Sequence, residues 1–150
     1  MKVRDVMTTE VRTVRPETTY AEAARLLFKH KFSGLPVVDE KGELIGMLSE
    51  KDLFRALYPR YAEYIQESAR LTDHEAREAE VASLHQEPVA KFMSRTLHTI
   101  HPDAPILKAG GVMLVHQIHR LPVLESKKLV GIVTREDIYG AVLKTHFDSA

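Results

Sequence analysis

Hydrophobic and polar positions follow the same succession twice along this chain. Residues 3–57 laid over residues 89–143 bring Met7 onto Met93, Thr13 onto Thr99, Pro16 onto Pro102, Ala23 onto Ala109 and His30 onto His116. The same spacing of 86 residues puts Leu35, Pro36 and Val37 onto Leu121, Pro122 and Val123. One deletion in the next turn shortens the spacing to 85, which pairs Gly46 with Gly131 and Asp52 with Asp137. A shared order of strand, helix and turn signals over this length marks an internal duplication.

Each copy predicts the same elements. A short extended segment ends at Thr13-Val14 or Thr99-Ile100, where Arg15-Pro16 or His101-Pro102 bars its continuation. A helix then starts near Thr18 or Thr19, with Tyr20, Ala23, Ala24 and Leu27 at helical spacing. In the second copy Pro105 suits a first helical turn, and Ile106, Ala109, Gly110 and Met113 repeat that face. Gly110 and Gly111 each weaken this helix by roughly 1 kcal/mol relative to Ala, so close packing or a ligand approaches there. Two β-rich runs follow, LPVVD and ELIGMLS joined by EKG, then LPVLE and LVGIVT joined by SKK. They read as hairpins. Each hairpin runs into a helix, at Ser49-Glu50-Lys51-Asp52 or Thr134-Arg135-Glu136-Asp137, with a capping hydroxyl and an early acid. The fold class is therefore α/β of the α+β kind, two β-α-β-β-α repeats. Each holds half a core, and packing the two face to face buries both halves.

The expected organisation is a first repeat over 1–57, a helical insertion over 58–88 and a second repeat over 89–150. In the insertion Pro59 ends one helix. Tyr61, Tyr64, Ile65 and Ala69 suggest a second, and Thr72 or Asp73 caps a third. A connector, a lid and a partner surface are all open readings.

Composition narrows the chemistry. A chain of 150 residues has core enough to fold without staples, and zero cysteines exclude disulfides, zinc-thiolate sites and thiol nucleophiles. No apolar run reaches the roughly 18–20 residues that span a bilayer, and the start lacks a signal peptide's apolar stretch, so a cytoplasmic protein is expected. With 21 basic and 21 acidic residues, nothing steers the molecule broadly onto nucleic acid or membrane. Phosphate-loop, dinucleotide, nucleophile-elbow and zinc-protease motifs are all missing. The histidines do not gather either. His98 and His101 fall on opposite faces of a predicted strand, His30 and His116 are equivalent helix positions, and His74 and His85 sit in the insertion. No metal site and no catalytic residue is expected.

What does recur is Gly46-Met47-Leu48-Ser49-Glu50-Lys51-Asp52 and Gly131-Ile132-Val133-Thr134-Arg135-Glu136-Asp137. A hydroxyl and a carboxylate three apart at a helix start share one face. They form either a plain cap or a nucleoside grip, since a carboxylate can accept both vicinal hydroxyls of a ribose.

As a set, the Met at the head, the T-[VI]-x-P segment, the L-P-V strand and this G-h-h-[ST]-x-x-D signature resemble a tandem pair of cystathionine β-synthase (CBS) domains. The resemblance implies a Bateman module, with the repeats related by a pseudo-twofold axis and a cleft on either side. It implies a non-catalytic sensor that requires no cofactor and binds AMP, ADP, ATP or S-adenosylmethionine as a regulatory ligand. By the same likeness Asp52 and Asp137 take the ribose, with Ser49 and Thr134 at ribose or phosphate. Thr13-Val14 and Thr99-Ile100 line the adenine slot, opposite Leu35-Pro36 and Leu121-Pro122. Ile118-His119-Arg120-Leu121-Pro122-Val123 further resembles the phosphate-binding segment in the γ subunit of AMP-activated protein kinase, where Arg offers a fork of donors. Because the first copy has Phe32-Ser33-Gly34 there, and Ala104 replaces Thr18, two unequal sites are expected. If the grip crosses the twofold, His119 and Arg120 serve the nucleotide on Asp52. A contact of this kind is worth roughly 1.5–3 kcal/mol, about tenfold to a hundredfold in affinity.

The resemblance also implies a homodimer, through the helices at 53–57 and 138–143, and an unidentified target protein. The alternative is an interaction scaffold with vestigial clefts, docking through Tyr58, Tyr61 and Tyr64. A nucleotide-processing enzyme is disfavoured, with His119 as its only acid–base candidate, and nucleic-acid binding lacks a basic face.

Overall fold

The computed structural model describes residues 1–32, 34–58, 78 and 81–147. Two compact units form, and they cut across the sequence repeats. One gathers Met1–Arg12, Lys41–Leu44 and Thr96–Ala150; the other gathers Thr13–Glu40 and Ile45–Arg95. The expected boundaries at 57 and 89 therefore mark repeats in sequence, not compact bodies. Each repeat's leading segment folds into the unit built from the other repeat.

In the first-copy unit, α1 (Tyr20–His30) begins at Thr19, whose hydroxyl accepts the Glu22 N–H at 3.2 Å. Strands β1 (Gly34–Val38) and β2 (Leu44–Ser49) form a two-stranded sheet, and α2 (Glu50–Ala56) follows directly. The extended segment ahead of α1 contributes one parallel bridge, Val14 to Val37, rather than a strand. Val14, Ala23, Leu27, Leu35, Val37, Leu48, Leu53, Val89 and Met93 are the buried core. The Tyr20 hydroxyl donates to the Leu53 carbonyl at 2.7 Å and ties α1 to α2. Burial raises the pKa of that phenol.

The second-copy unit repeats the plan. Helix α3 (Ile106–His116) has Pro105 as its N-cap, one place earlier than a first helical turn. Strands β3 (Arg120–Glu125) and β4 (Lys128–Thr134) pair antiparallel with Arg120 opposite Thr134, and α4 (Arg135–His146) follows. Val3, Ile100, Ile106, Ala109, Met113, Leu121, Val123, Val133 and Ile138 form its core. Each unit thus closes a core of its own, where the sequence implied two half-cores that complete each other. The reason is the exchanged segment, which supplies Val3 to one core and Val89 to the other, both fully buried.

That exchange also explains the glycine of the repeated signature. The segment at Met7-Thr8 bridges β4 at Ile132, and a Cβ on Gly131 would stand 2.9 Å from the Thr8 carbonyl oxygen and 2.8 Å from Met7 Sδ. The segment at Met93-Ser94 bridges β2 at Met47, and a Cβ on Gly46 would meet Met93 Sδ at 2.6 Å. Only a residue without a Cβ leaves room for the crossing chain.

Between the repeats, residues 81–84 are helical, and Glu87 and His85 accept the Tyr20 and Ala21 N–H groups. The helices expected around Tyr61, Tyr64, Ile65, Ala69 and Thr72 lie outside the described residues. Among the described residues no helix is long and apolar enough to cross a membrane.

Candidate functional site

Both repeated signatures fold into capping boxes. The Asp52 N–H donates to Ser49 Oγ at 3.1 Å, while the Ser49 N–H and hydroxyl donate to Asp52 Oδ2 at 2.8 and 2.9 Å. The Asp137 N–H donates to Thr134 Oγ1 at 3.2 Å, and the Thr134 N–H donates to Asp137 Oδ2 at 2.8 Å. The cap is real in both copies, so its geometry decides what remains for a ligand. On Asp52 the Oδ2 lone pairs are both engaged, the Ser49 proton is spent, and Arg55 Nη1 lies 3.8 Å from Oδ1. On Asp137, Oδ1 has no partner among the described residues, while the Thr134 hydroxyl, besides accepting the Asp137 N–H, hydrogen-bonds the Glu136 carboxylate. Both carboxylates are held in one orientation by their caps, and the Asp52 side chain is only 14% exposed.

Within each unit the other expected residues are joined by backbone hydrogen bonds. Val14 hydrogen-bonds β1, its N–H donating to the Pro36 carbonyl and its carbonyl accepting from Val38, so Thr13 and Val14 lie beside Leu35 and Pro36. Val14, Leu35 and Pro36 are buried, and Thr13 is exposed. In the second-copy unit the Ile100 N–H donates to the Pro122 carbonyl at 3.1 Å and the Leu124 N–H to Ile100, which sets Thr99 and Ile100 beside Leu121 and Pro122. Arg120 is the cross-strand neighbour of Thr134, and the Arg135 N–H donates to the His119 carbonyl at 3.0 Å. Register therefore sets His119 and Arg120 against the start of α4, near the Thr134–Asp137 cap.

Arg120 is half-buried, and burial lowers the pKa of its guanidinium while Glu136 works to raise it. Among the described residues no carboxylate comes within ion-pair distance of it. A partly desolvated cation without a partner favours an anion beside it. The first copy has Gly34 at the matching position, and Ser33 lies outside the described residues.

Two features escaped the sequence reasoning. His98 and His116 stack with ring centroids 3.7 Å apart, because residues around His98 do not form the expected strand and His98 turns onto the end of α3. The two histidines lie on different segments, so no periodicity within one element links them. The second is an open cavity of about 700 Å³ in the first-copy unit, lined by Tyr20, Phe28, Phe32, Leu53, Phe54 and Leu57 among others. It is lined by residues of α1, of α2 and of the segments that follow them, and does not include Ser49 or Asp52. Among the described residues no group of three metal-ligating side chains occurs.

The family model described as CBS domain matches the chain twice, over residues 3–59 and 89–144. Among curated proteins, the CBS domain-containing protein YhcV of Bacillus subtilis (strain 168) is 36% identical over 136 residues, covering 91% of this chain and 81% of that protein. The crystal structure of CBSX2 in complex with AMP has a TM-score of 0.74 at 26% identity, covering 96% of this chain and 97% of that one. The CBS domain pair of protein MJ0100, in complex with 5′-methylthioadenosine and S-adenosyl-L-methionine, has a TM-score of 0.73 at 27% identity, covering 97% and 98%.

Proposed function

The chain belongs to the CBS domain family, and from that premise we propose that it is a non-catalytic regulatory module that binds an adenosine-containing ligand. The observation that carries the reading is the pair of caps, each holding a carboxylate in place while its Oδ1 keeps acceptor capacity for a sugar diol. Neighbours in fold support the ligand class, since their complexes contain AMP or S-adenosylmethionine with methylthioadenosine. Arg120, with His119 beside it, is the group for phosphate charge, and the adenine lies along the backbone at Thr13-Val14 or Thr99-Ile100. The two caps are unequal as acceptors. Asp52 already faces Arg55, whereas Asp137 Oδ1 has no partner among the described residues.

Ligand and response are linked through differential affinity for two arrangements of the protein. The same reading includes self-association, with a target protein receiving the signal. Titration calorimetry with AMP, ADP, ATP and S-adenosylmethionine tests the function. Saturable heat with at least one is expected, and silence with all four at millimolar concentration contradicts it.

A further inference from the structure

The open cavity of about 700 Å³ lies wholly within the first-copy unit, and its size falls in the roughly 300–1,000 Å³ range of small-molecule sites. Its walls are aromatic. Tyr20, Phe28, Phe32 and Phe54 line it, and Phe28 and Phe54 are 81% and 61% exposed. Neighbouring groups brace these rings. Phe32 stacks on His30 with ring centroids 5.3 Å apart, Phe54 leans on Tyr58 at 5.5 Å, and the Tyr20 hydroxyl is engaged by the Leu53 carbonyl. Three charged side chains line the same space, Lys31 at the end of α1 and Glu50 and Lys51 in the first turn of α2. Neither ammonium group has an ion-pair partner among the described residues. Two lysines against one glutamate leave the lining with an excess positive charge.

The second copy does not keep this combination. Its matching positions are Ile106, Leu114 and Ile118 for Tyr20, Phe28 and Phe32, and only Tyr139, matching Phe54, stays aromatic. Gln117 and Glu136 stand where the lysines are, with Arg135 in place of Glu50, so the net charge is zero. The second-copy unit nevertheless closes an equivalent core. The shared fold therefore requires neither the rings nor the ammonium groups. We propose that the cavity is a binding site for a small carboxylate carried on an aryl-alkyl body. The body lies among the four rings, where aromatic contacts and loss of wetted apolar surface favour it. The carboxylate takes charge-assisted hydrogen bonds from Lys31 and Lys51. A cation on the same body is rejected, because it meets like charge. The site is separate from the Ser49–Asp52 cap and independent of the adenosine ligand.

The test uses the aromatic sulfonate 1-anilinonaphthalene-8-sulfonate, whose fluorescence rises in apolar surroundings, displaced in turn by 4-phenylbutyrate and 4-phenylbutylamine. Saturable dye binding is expected, with the acid displacing the dye at a concentration at least tenfold lower than the amine. Equal displacement by the two, or displacement by neither, overturns the proposal. In a chain with Lys31→Gln and Lys51→Gln the preference for the acid is expected to collapse, and an unchanged preference overturns the role of the lysines. Glutamine suits position 31, since Gln117 holds the matching left-handed backbone at φ 55°. Phe28→Ala, at a largely exposed position, is expected to weaken the acid at least tenfold while thermal unfolding stays cooperative. Unchanged binding there places the acid elsewhere and overturns the site. Dye bound per chain that falls as protein concentration rises, while the light-scattering mass climbs above 17.0 kDa, makes a second copy the occupant and also overturns it.

Discussion

At Asp137 one carboxylate closes the α4 cap through Oδ2, and in the proposed function it also offers Oδ1 to a ligand. The two can be separated. Asn at this position keeps an oxygen for the Thr134 N–H but presents an amide donor where a diol needs an acceptor. Asp137→Asn is therefore expected to cost less than about 1 kcal/mol of stability, the usual size of a cap effect, yet to weaken ligand binding at this site at least tenfold. Urea denaturation and calorimetry on the same sample check both halves. Gly131 carries a different demand. Its absent Cβ would face the Thr8 carbonyl, which is backbone, as well as the flexible end of Met7. Gly131→Ala is expected to destabilise by roughly 1–3 kcal/mol, as overpacking does, measured by denaturant unfolding. The sequence displayed both residues in its repeated signature. It could not supply the reason for the glycine, because the chain that fills that space comes from more than 120 positions away.

Elements built from near neighbours were legible, and those fixed by distant ones were not. Thr19 beside an amphipathic run gave α1, and the turn residues between β-branched runs gave both hairpins, since capping and turn chemistry act within a few residues. The turn at Ser126 and Lys127 even adopts positive φ, 50° and 67°, without a glycine. By contrast, the 3₁₀ turns Val3–Asp5 and Val89–Lys91 showed no periodicity, and their burial in the opposite repeat's unit was invisible. The first of these turns is held by Arg4, whose Nε donates to Asp103 Oδ1 at 2.7 Å. That hydrogen bond, with the charge of Arg4 and Lys2, holds the Asp103 pKa below its usual value. A depressed folded value means the contact stabilises fully above the ordinary aspartate range and is lost as pH falls through the lowered value. Denaturation of the wild type and Asp103→Asn should therefore differ near neutral pH and converge in strong acid. A difference that persists in acid contradicts this assignment.

For the whole molecule, duplication explains the fold, and the proposed function draws on where the two copies diverge. The copies keep the caps, the strand pairing and the cores, which is why the fold class was readable from one alignment of the chain with itself. They differ at Arg120 against Gly34, at Arg55 against Gly140 and at Arg25 against Gly111, so only one copy carries each of these cations. The residues of the candidate site were legible as types at a spacing. The state of their hydrogen bonds was not, because capacity spent on a cap appears only once both partners are placed. The central claim is that a fixed carboxylate meets a sugar's two hydroxyls. It is tested most directly by titrating the best adenosine ligand and its 2′-deoxy counterpart against the wild type and a variant with Asp52→Asn and Asp137→Asn. The account predicts that the deoxy compound binds the wild type at least tenfold more weakly and that this difference collapses in the variant. Equal binding of the two compounds by the wild type would contradict it.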